Sequence, residues 1–382
     1  MNKISCISRN KSVITQLDNL EHLYTFNDFP VFFGCTNEPE EKDMCADMVW
    51  KIDPITGIIQ LSELVPLDIL YMEQHVDATG PTWDRFNNAF ADYVVKNRKG
   101  NILEIGGGSG KLAKLVLSKN NDIKYTVIEP NPLFEEKDNL KVLKGFFSKE
   151  FKNLFDENNT VMFSQVFEHS YDPKEFLDEI NEFLPIGGTL VFAYPNLEHW
   201  FKNKFTNTIN FEHTMLLTDY YVDYFLKITG FEIIEKIEYE KHSHFYTVKK
   251  IQNKENIKYP ILYSKQDHYK KLFTEYIDYY KNLVQQINKQ IQNTDSEVFL
   301  FGGHIFSQYL IGFGLNTSCI TYILDNSPLK QEKRLYGSHL KVKSPKILSN
   351  YDNPVVILKA GLYNKEIMED ILTNVNPNTK FI

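Results

Sequence analysis

The sequence predicts an α/β protein with an open, largely parallel sheet at its centre. A second, smaller α/β unit lies towards the C-terminal end, and a small irregular region lies at the N-terminal end. Three observations carry this. Short apolar strands alternate with segments of helical spacing through the middle of the chain, which implies a parallel sheet covered on both faces. Two strands run directly into glycines followed by a helical pattern, at Gly106–Gly110 and at Gly302-Gly303. Between the two units an amphipathic pattern is sustained over residues 264–292. A chain of 382 residues has room for two or three domains at about 100–200 residues each.

Composition narrows the class. With 42% hydrophobic and 24% charged residues the chain can build ordinary cores. Its net charge of −8 argues against a broad nucleic-acid surface. No apolar run is long enough to span a bilayer, and residues 1–10 lack the apolar stretch of a signal peptide, so the cytoplasm is the expected location. Cys6, Cys35, Cys45 and Cys319 are too few and too scattered for a disulfide framework. Oligomeric state is not legible.

In chain order, residues 1–85 are irregular and rich in loops, with short apolar runs at Phe29–Phe33 and Gly57–Leu61. Residues 86–263 form the central unit. Its expected strands are Asn101–Ile105, Tyr125–Glu129, Thr160–Ser164 and Gly188–Ala193, with helical spacing between them, as over Lys174–Phe183. Residues 264–292 form a connecting helix on which Leu272, Tyr276, Tyr279, Tyr280, Leu283, Ile287 and Ile291 recur at steps of three and four. Residues 293–382 repeat the strand–helix order, with strands at Glu297–Phe301, Ile320–Leu324 and Val355–Leu358, as in a small Rossmann-like domain.

The stretch Ile102-Leu-Glu-Ile-Gly-Gly-Gly-Ser-Gly110 is the most informative. Glycines permit positive φ and the close approach of a ligand, and the following helix start offers unpaired amides. Glu129 ends the next strand, nineteen residues after Gly110, where a carboxylate can accept both hydroxyls of a ribose. Three details favour S-adenosylmethionine over a dinucleotide. Glu104 precedes the glycines and suits a cationic amino group. The spacing Gly-Gly-Gly-Ser-Gly is not Gly-x-Gly-x-x-Gly. Phe163–His169 follows the third strand and resembles the post-strand segment of class I methyltransferases. The cofactor contacts are therefore expected at Glu104, Gly106, Gly108, Gly110, Glu129, Pro130 and Gln165, with S-adenosyl-L-homocysteine as the product.

Methyl transfer needs an oriented nucleophile and a base to remove its proton. Histidine is the natural base near neutral pH. Two of the ten fall where open sheets bind ligands, beyond the carboxyl ends of strands: His169, and His213 in Asn210-Phe-Glu-His-Thr214. Each is either catalytic or a structural hydrogen-bonder. Tyr71, Tyr194 and Asn196 are weaker candidates, on the substrate side. His242 and His244 flank a strand and read as exposed.

These motifs resemble the bacterial three-domain sugar C-methyltransferases, over nearly the whole chain. Asn210–Thr214 is similar to the family's Glu-His pair, and Leu324–Gly337 and Gly57–Leu61 to further family segments. The resemblance implies a class I methyltransferase sheet flanked by an N-terminal zinc-binding-like domain and a Rossmann-like C-terminal domain. It makes His213 the base, assisted by Glu212, with His169 near the substrate. It also implies a sugar-nucleotide site at Gly302, Gly303 and the helix start at His304, where Asp325 ends the next strand; Arg334, with Lys330 or Lys333, is expected to meet a phosphate there. The chain departs from the family in three places. Where the family has two Cys-x-x-Cys pairs, this chain has Cys6 with Arg9 and Asp53 with Thr56, so no zinc is expected, because a structural zinc takes four nitrogen or sulfur ligands. The family's His-Gly-Gly turn is absent at Lys241–Tyr246. A family tyrosine is replaced near His75 and Val76, with His75 and Asp77 as possible substitutes. The expected activity is methylation of a nucleotide-linked or surface-polysaccharide sugar. C-methylation is favoured by the resemblance; sugar O-methylation and a cofactor-binding, non-catalytic role are the alternatives, and an NAD(P)-dependent oxidoreductase is disfavoured by the glycine spacing.

Overall fold

The computed structural model describes residues 1–72, 81–148, 151, 158–252, 257, 260–359 and 364–382. The N-terminal region holds more order than its sequence suggests. Strands β1 (Asn2–Lys3), β2 (Glu21–Pro30), β3 (Met44–Ile52) and β4 (Ile59–Leu61) form one sheet in the order β1-β3-β2, with β4 also paired to β3. The expectation of an irregular region is corrected here. The pairing of β2 slips twice, between His22/Tyr24 and between Phe26/Phe29, and Asp28 takes φ 50°. Such bulges break the period-two alternation that marks a strand.

The central unit opens with α1 (Pro81–Asn97), whose described part already begins ahead of residue 86. Then come β5 (Asn101–Ile105), α2 (Lys111–Lys119), β6 (Tyr125–Glu129), β7 (Leu140–Lys144), β8 (Asn158–Ser164), α3 (Pro173–Phe183) and β9 (Thr189–Pro195). The unit closes with α4 (Leu197–Lys202), α5 (Asp219–Ile228), β10 (Phe231–Tyr239) and β11 (Ser243–Lys250). The seven strands lie in the order β7-β6-β5-β8-β9-β11-β10. The first five are parallel, and β11 is antiparallel to both neighbours. Strand order reverses at β5, which places a crevice beyond the carboxyl ends of β5 and β8.

Alternation along β5 fills two cores. Ile102 faces Phe86, Phe90 and Val116 of α1 and α2, whereas Leu103 and Ile105 join the opposite layer with Leu177, Ile180 and Phe225. That second layer is continuous with the N-terminal sheet through Phe29 and Trp50, and with the long helix α6 (Gln266–Gln292). Tyr269, Leu272, Phe273, Tyr276, Ile277, Tyr280, Val284, Ile287 and Ile291 form its buried stripe. Tyr279, expected on that stripe, is 46% exposed. The helix is thus a packed spine between the units.

The C-terminal unit is a five-stranded, all-parallel sheet. Its strands are β12 (Val298–Phe301), β13 (Ile320–Leu324), β14 (Val342–Lys343), β15 (Val355–Ile357) and β16 (Lys380–Phe381), in the order β14-β13-β12-β15-β16, with α7 (Ile305–Gly312) after β12. It clips to the N-terminal region where Arg334-Leu335 pairs with Cys35-Thr36 in a separate two-stranded ribbon. No helix among the described residues is long and apolar enough to cross a membrane.

Candidate active site

The glycine loop lies where the crevice begins. Gly106, Gly108 and Gly110 have φ of 75°, 51° and 72°, the left-handed region that side chains avoid. A Cβ on Gly106 would come 2.7 Å from Val166 Cγ2, and one on Gly110 would come 2.6 Å from the Phe134 ring. The Gly108 N–H donates to Glu129 Oε2 at 2.9 Å, and the Asn131 N–H donates to Oε1 at 3.0 Å. Glu129 thus stands at the strand tip, held by two backbone donors, with lone pairs left for ribose hydroxyls. Pro130 follows it, half-buried. Gln165 follows β8 with a left-handed φ of 56°, rare for a residue other than glycine, and its Nε2 reaches Ser243 Oγ at 3.3 Å. The loop, the acid and the strand ends fit an adenosyl cofactor. Glu104 does not open into the cleft. It is 1% exposed, lies beneath Gly107 and accepts from Tyr125 Oη at 2.8 Å. Burial pushes its pKa up to about 7, so it supports the loop from below.

A second cluster faces this loop. His169 ends a short turn after β8, and its Nε2 lies 3.9 Å from Glu168 Oε1 and 4.0 Å from Glu212 Oε2. The Tyr71 hydroxyl lies 3.4 Å from its Nδ1, which brings an N-terminal residue into the site. The His169 and His213 rings are 5.4 Å apart. His213 is set by an Asx turn: Asn210 Oδ1 accepts the N–H groups of Glu212 and His213, both at 2.8 Å. Its Nδ1 lies 3.0 Å from the Thr208 carbonyl. A carbonyl only accepts, so Nδ1 carries the proton and Nε2 carries the lone pair. Burial pushes its pKa down to about 4, against the pull of that carbonyl. His213 is therefore neutral near pH 7.

Two residues of this cluster went unassigned in the sequence. Glu168 is 1% exposed, and neither of its carboxyl oxygens has a hydrogen-bond partner. Burial pushes its pKa up to about 8, against the pull of its own backbone N–H, with the Glu212 charge adding to the rise. The Glu-His pair at 168–169 carried the signal, but a fully buried acid cannot be told from an exposed one by sequence. The other is Arg9, at a family cysteine position. Its guanidinium donates to the carbonyls of Leu61 at 2.9 Å, Tyr171 at 2.9 Å and Thr214 at 2.6 Å. It thereby ties the N-terminal sheet to the loops that carry His169 and His213. Burial pulls its pKa down to about 10. At the second expected pair, Asp53 accepts from the hydroxyls of Ser12, Thr15 and Thr56. The four cysteines are free thiols.

Other expected contacts lie elsewhere. Tyr194 is fully buried between Phe192, His244 and Tyr246. Asn196 caps α4, accepting from the His199 N–H at 3.1 Å and donating to Glu238 at 3.1 Å. His75 falls outside the described residues. His242 and His244, read as exposed, are packed: His244 is 8% exposed against Tyr194, and His242 sits among Trp83, Phe86 and Trp200. In the C-terminal unit, Gly302 has φ 110° and the Gly303 N–H donates to Asp325 Oδ2 at 2.8 Å, echoing the Gly108–Glu129 contact. Lys330 also reaches Asp325 Oδ2, at 3.1 Å. His304 stands at the helix start beside Phe33. Arg334 is not placed for a phosphate: it makes a two-pronged pair with Asp43, at 2.6 Å for each oxygen, and donates to the Glu38 carbonyl. The resemblance could not foresee that an N-terminal acid would claim this arginine.

The sheet order and the glycine loop define the class I, Rossmann-like methyltransferase fold. The protein is an S-adenosylmethionine-dependent methyltransferase. Residues 78–253 match the family model described as a methyltransferase domain, and residues 232–382 match the C-methyltransferase C-terminal domain. No curated protein matches. Similar solved structures include a chain from the complex of the Haloferax volcanii Trm112 methyltransferase activator with its methyltransferase (16% identity, TM-score 0.37, covering 44% of this chain and 92% of that one). Human N-acetylserotonin methyltransferase, solved with S-adenosylmethionine, shows 16% identity and TM-score 0.37 over 45% of this chain and 55% of its own. The CurJ carbon methyltransferase shows 14% identity and TM-score 0.35 over 44% and 54%.

Proposed function

We propose that this enzyme methylates a carbon next to a carbonyl on a nucleotide-linked or surface-polysaccharide sugar, with His213 as the base. The observation that carries this is the buried His213 imidazole, whose Nδ1 is fixed on Thr208 and whose Nε2 keeps its lone pair. The match of residues 232–382 to a C-methyltransferase C-terminal domain supports carbon as the acceptor, and the resemblance to sugar C-methyltransferases supports the substrate class. When bound, S-adenosylmethionine supplies an electrophilic methyl group. Gly106, Gly108 and Gly110 admit it, and Glu129 holds its ribose. His213 Nε2 takes the proton from the acceptor carbon, and the carbanion left there is the nucleophile to which bound S-adenosylmethionine would give its methyl group, leaving as S-adenosyl-L-homocysteine. Glu212 and His169 stand beside the imidazole and orient the acceptor, with Tyr71 behind His169.

The test is a screen of keto-sugar nucleotides with mass detection and NMR assignment of the methyl group. A methyl on carbon, together with His213-dependent exchange of that carbon's hydrogen for deuterium in heavy water, is expected. A methyl on oxygen without exchange would replace this reading with O-methylation.

A further inference from the structure

Glu168, His169 and His213 place one carboxyl and two imidazoles so that one donor atom of each lies within 4.8 Å of the others. Among the described residues this is the group of side chains able to hold a metal ion. Its unusual member is Glu168, 1% exposed with both oxygens unpartnered, Oε1 lying 3.9 Å from His169 Nε2. A buried carboxyl without a partner is costly and accepts either a proton or a cation. His213 is already braced as metal ligands are, its ring and tautomer fixed by the Thr208 carbonyl, and the Tyr71 hydroxyl lies at His169 Nδ1. Around an ion with bonds of about 2.0–2.2 Å, neighbouring donors sit roughly 3–3.5 Å apart. The 3.9 Å edge between His169 and Glu168 thus has to close by about 0.4–0.9 Å, and no edge of the group, at 4.8 Å or less, by more than about 1.8 Å.

We propose that Glu168, His169 and His213 bind one first-row divalent transition ion, and that the ion blocks turnover by taking the His213 nitrogen that receives the acceptor's proton. Two imidazoles and one carboxylate suit zinc, cobalt or nickel and not magnesium or calcium, which prefer oxygen donors. The remaining coordination positions stay open to water or to Glu212, whose Oε2 is 4.0 Å from His169 Nε2. The blocking clause rests on the base role given to His213 above; the binding clause does not.

The experiment uses full-length, chelator-treated protein titrated with Co²⁺ and read by the visible d–d absorption of the bound ion. Expected is one Co²⁺ per chain, displaced by Zn²⁺ and unaffected by Mg²⁺. Because losing even a ligand's outer partner costs 10–100-fold in affinity, Glu168→Gln and His169→Asn should each weaken binding by about 100-fold. Calorimetry with S-adenosylhomocysteine checks that both variants keep the fold. Zn²⁺ should inhibit methyl transfer and a chelator should restore it. No stoichiometric Co²⁺ uptake, or uptake unchanged in the folded variants, overturns the site. Full turnover in metal-saturated enzyme overturns the blocking clause. Failure to find a methyl acceptor would leave the cobalt spectrum unaltered, so the two readings fail separately.

Discussion

Replacing Arg9 with methionine tests the coupling between the N-terminal sheet and the active site. Arg9 donates to three carbonyls on three segments. Hydrogen bonds from a charged donor contribute about 1.5–3 kcal/mol each, so the gross loss is roughly 5–9 kcal/mol. The offset is the cost of burying the guanidinium. Its pKa of about 10 against an ordinary value above 12 corresponds to about 3 kcal/mol. Thr214 keeps the Leu61 N–H as a second donor, which trims the loss further. The expected net destabilisation is about 3 kcal/mol, a fall in melting temperature of several degrees for a protein of this size, at roughly 2–4 °C per kcal/mol. Tyr171 and Thr214 neighbour the segments of His169 and His213, so turnover should drop by more than cofactor affinity, because Gly108 and Glu129 are untouched. Arg9→Lys should recover only part, since an ammonium lacks the planar fork that reaches three acceptors. The assays are thermal unfolding, calorimetry with S-adenosylhomocysteine and turnover at saturating acceptor. A melting temperature within about 1 °C of the parent, against the several degrees expected, with unchanged turnover, would refute the reasoning.

Further outcomes follow from the same geometry. His213→Ala should lose turnover while keeping affinity for S-adenosylhomocysteine; retained turnover removes it from the base role. Glu129→Ala should weaken that affinity by about 1–3 kcal/mol, as for a lost charged acceptor, measured by calorimetry; unaltered affinity contradicts the ribose contact. Gly106→Ala should weaken it too, because the new Cβ meets Val166 at 2.7 Å and φ is 75°; a variant that binds like the parent would show that the loop relaxes freely. His242 has its pKa pushed down to about 4 by burial, below the unfolded value of about 6.5. The unfolded chain then takes up the proton first, so stability is lost as pH falls from about 6.5 to about 4. His242→Asn should flatten that part of the urea-midpoint profile, and an unchanged profile would count against the burial.

Much of the central sheet was legible because a strand buried on both faces is a short unbroken apolar run. Asn101–Ile105 and Tyr125–Glu129 are read correctly to the residue. The N-terminal strands were not, since bulges at Tyr24 and Phe29 scramble the alternation that identifies them. The glycine loop was legible because positive φ leaves a glycine signature. For Tyr194 and Asn196 a strand end gives position only, whereas burial and capping decide where a side chain points.

The order of strands and helices, the glycine turn, the acid that follows it and the two histidines beyond strand ends are properties of local sequence. They follow from periodicity and from backbone conformations that few residues accept. Which groups meet is a property of the folded chain. Arg9 reaches Tyr171 and Thr214, Arg334 is claimed by Asp43, and Glu168 is sealed beside His169 with no partner. Desolvation and hydrogen-bond geometry depend on neighbours far apart in sequence, and packing alone brings those neighbours together.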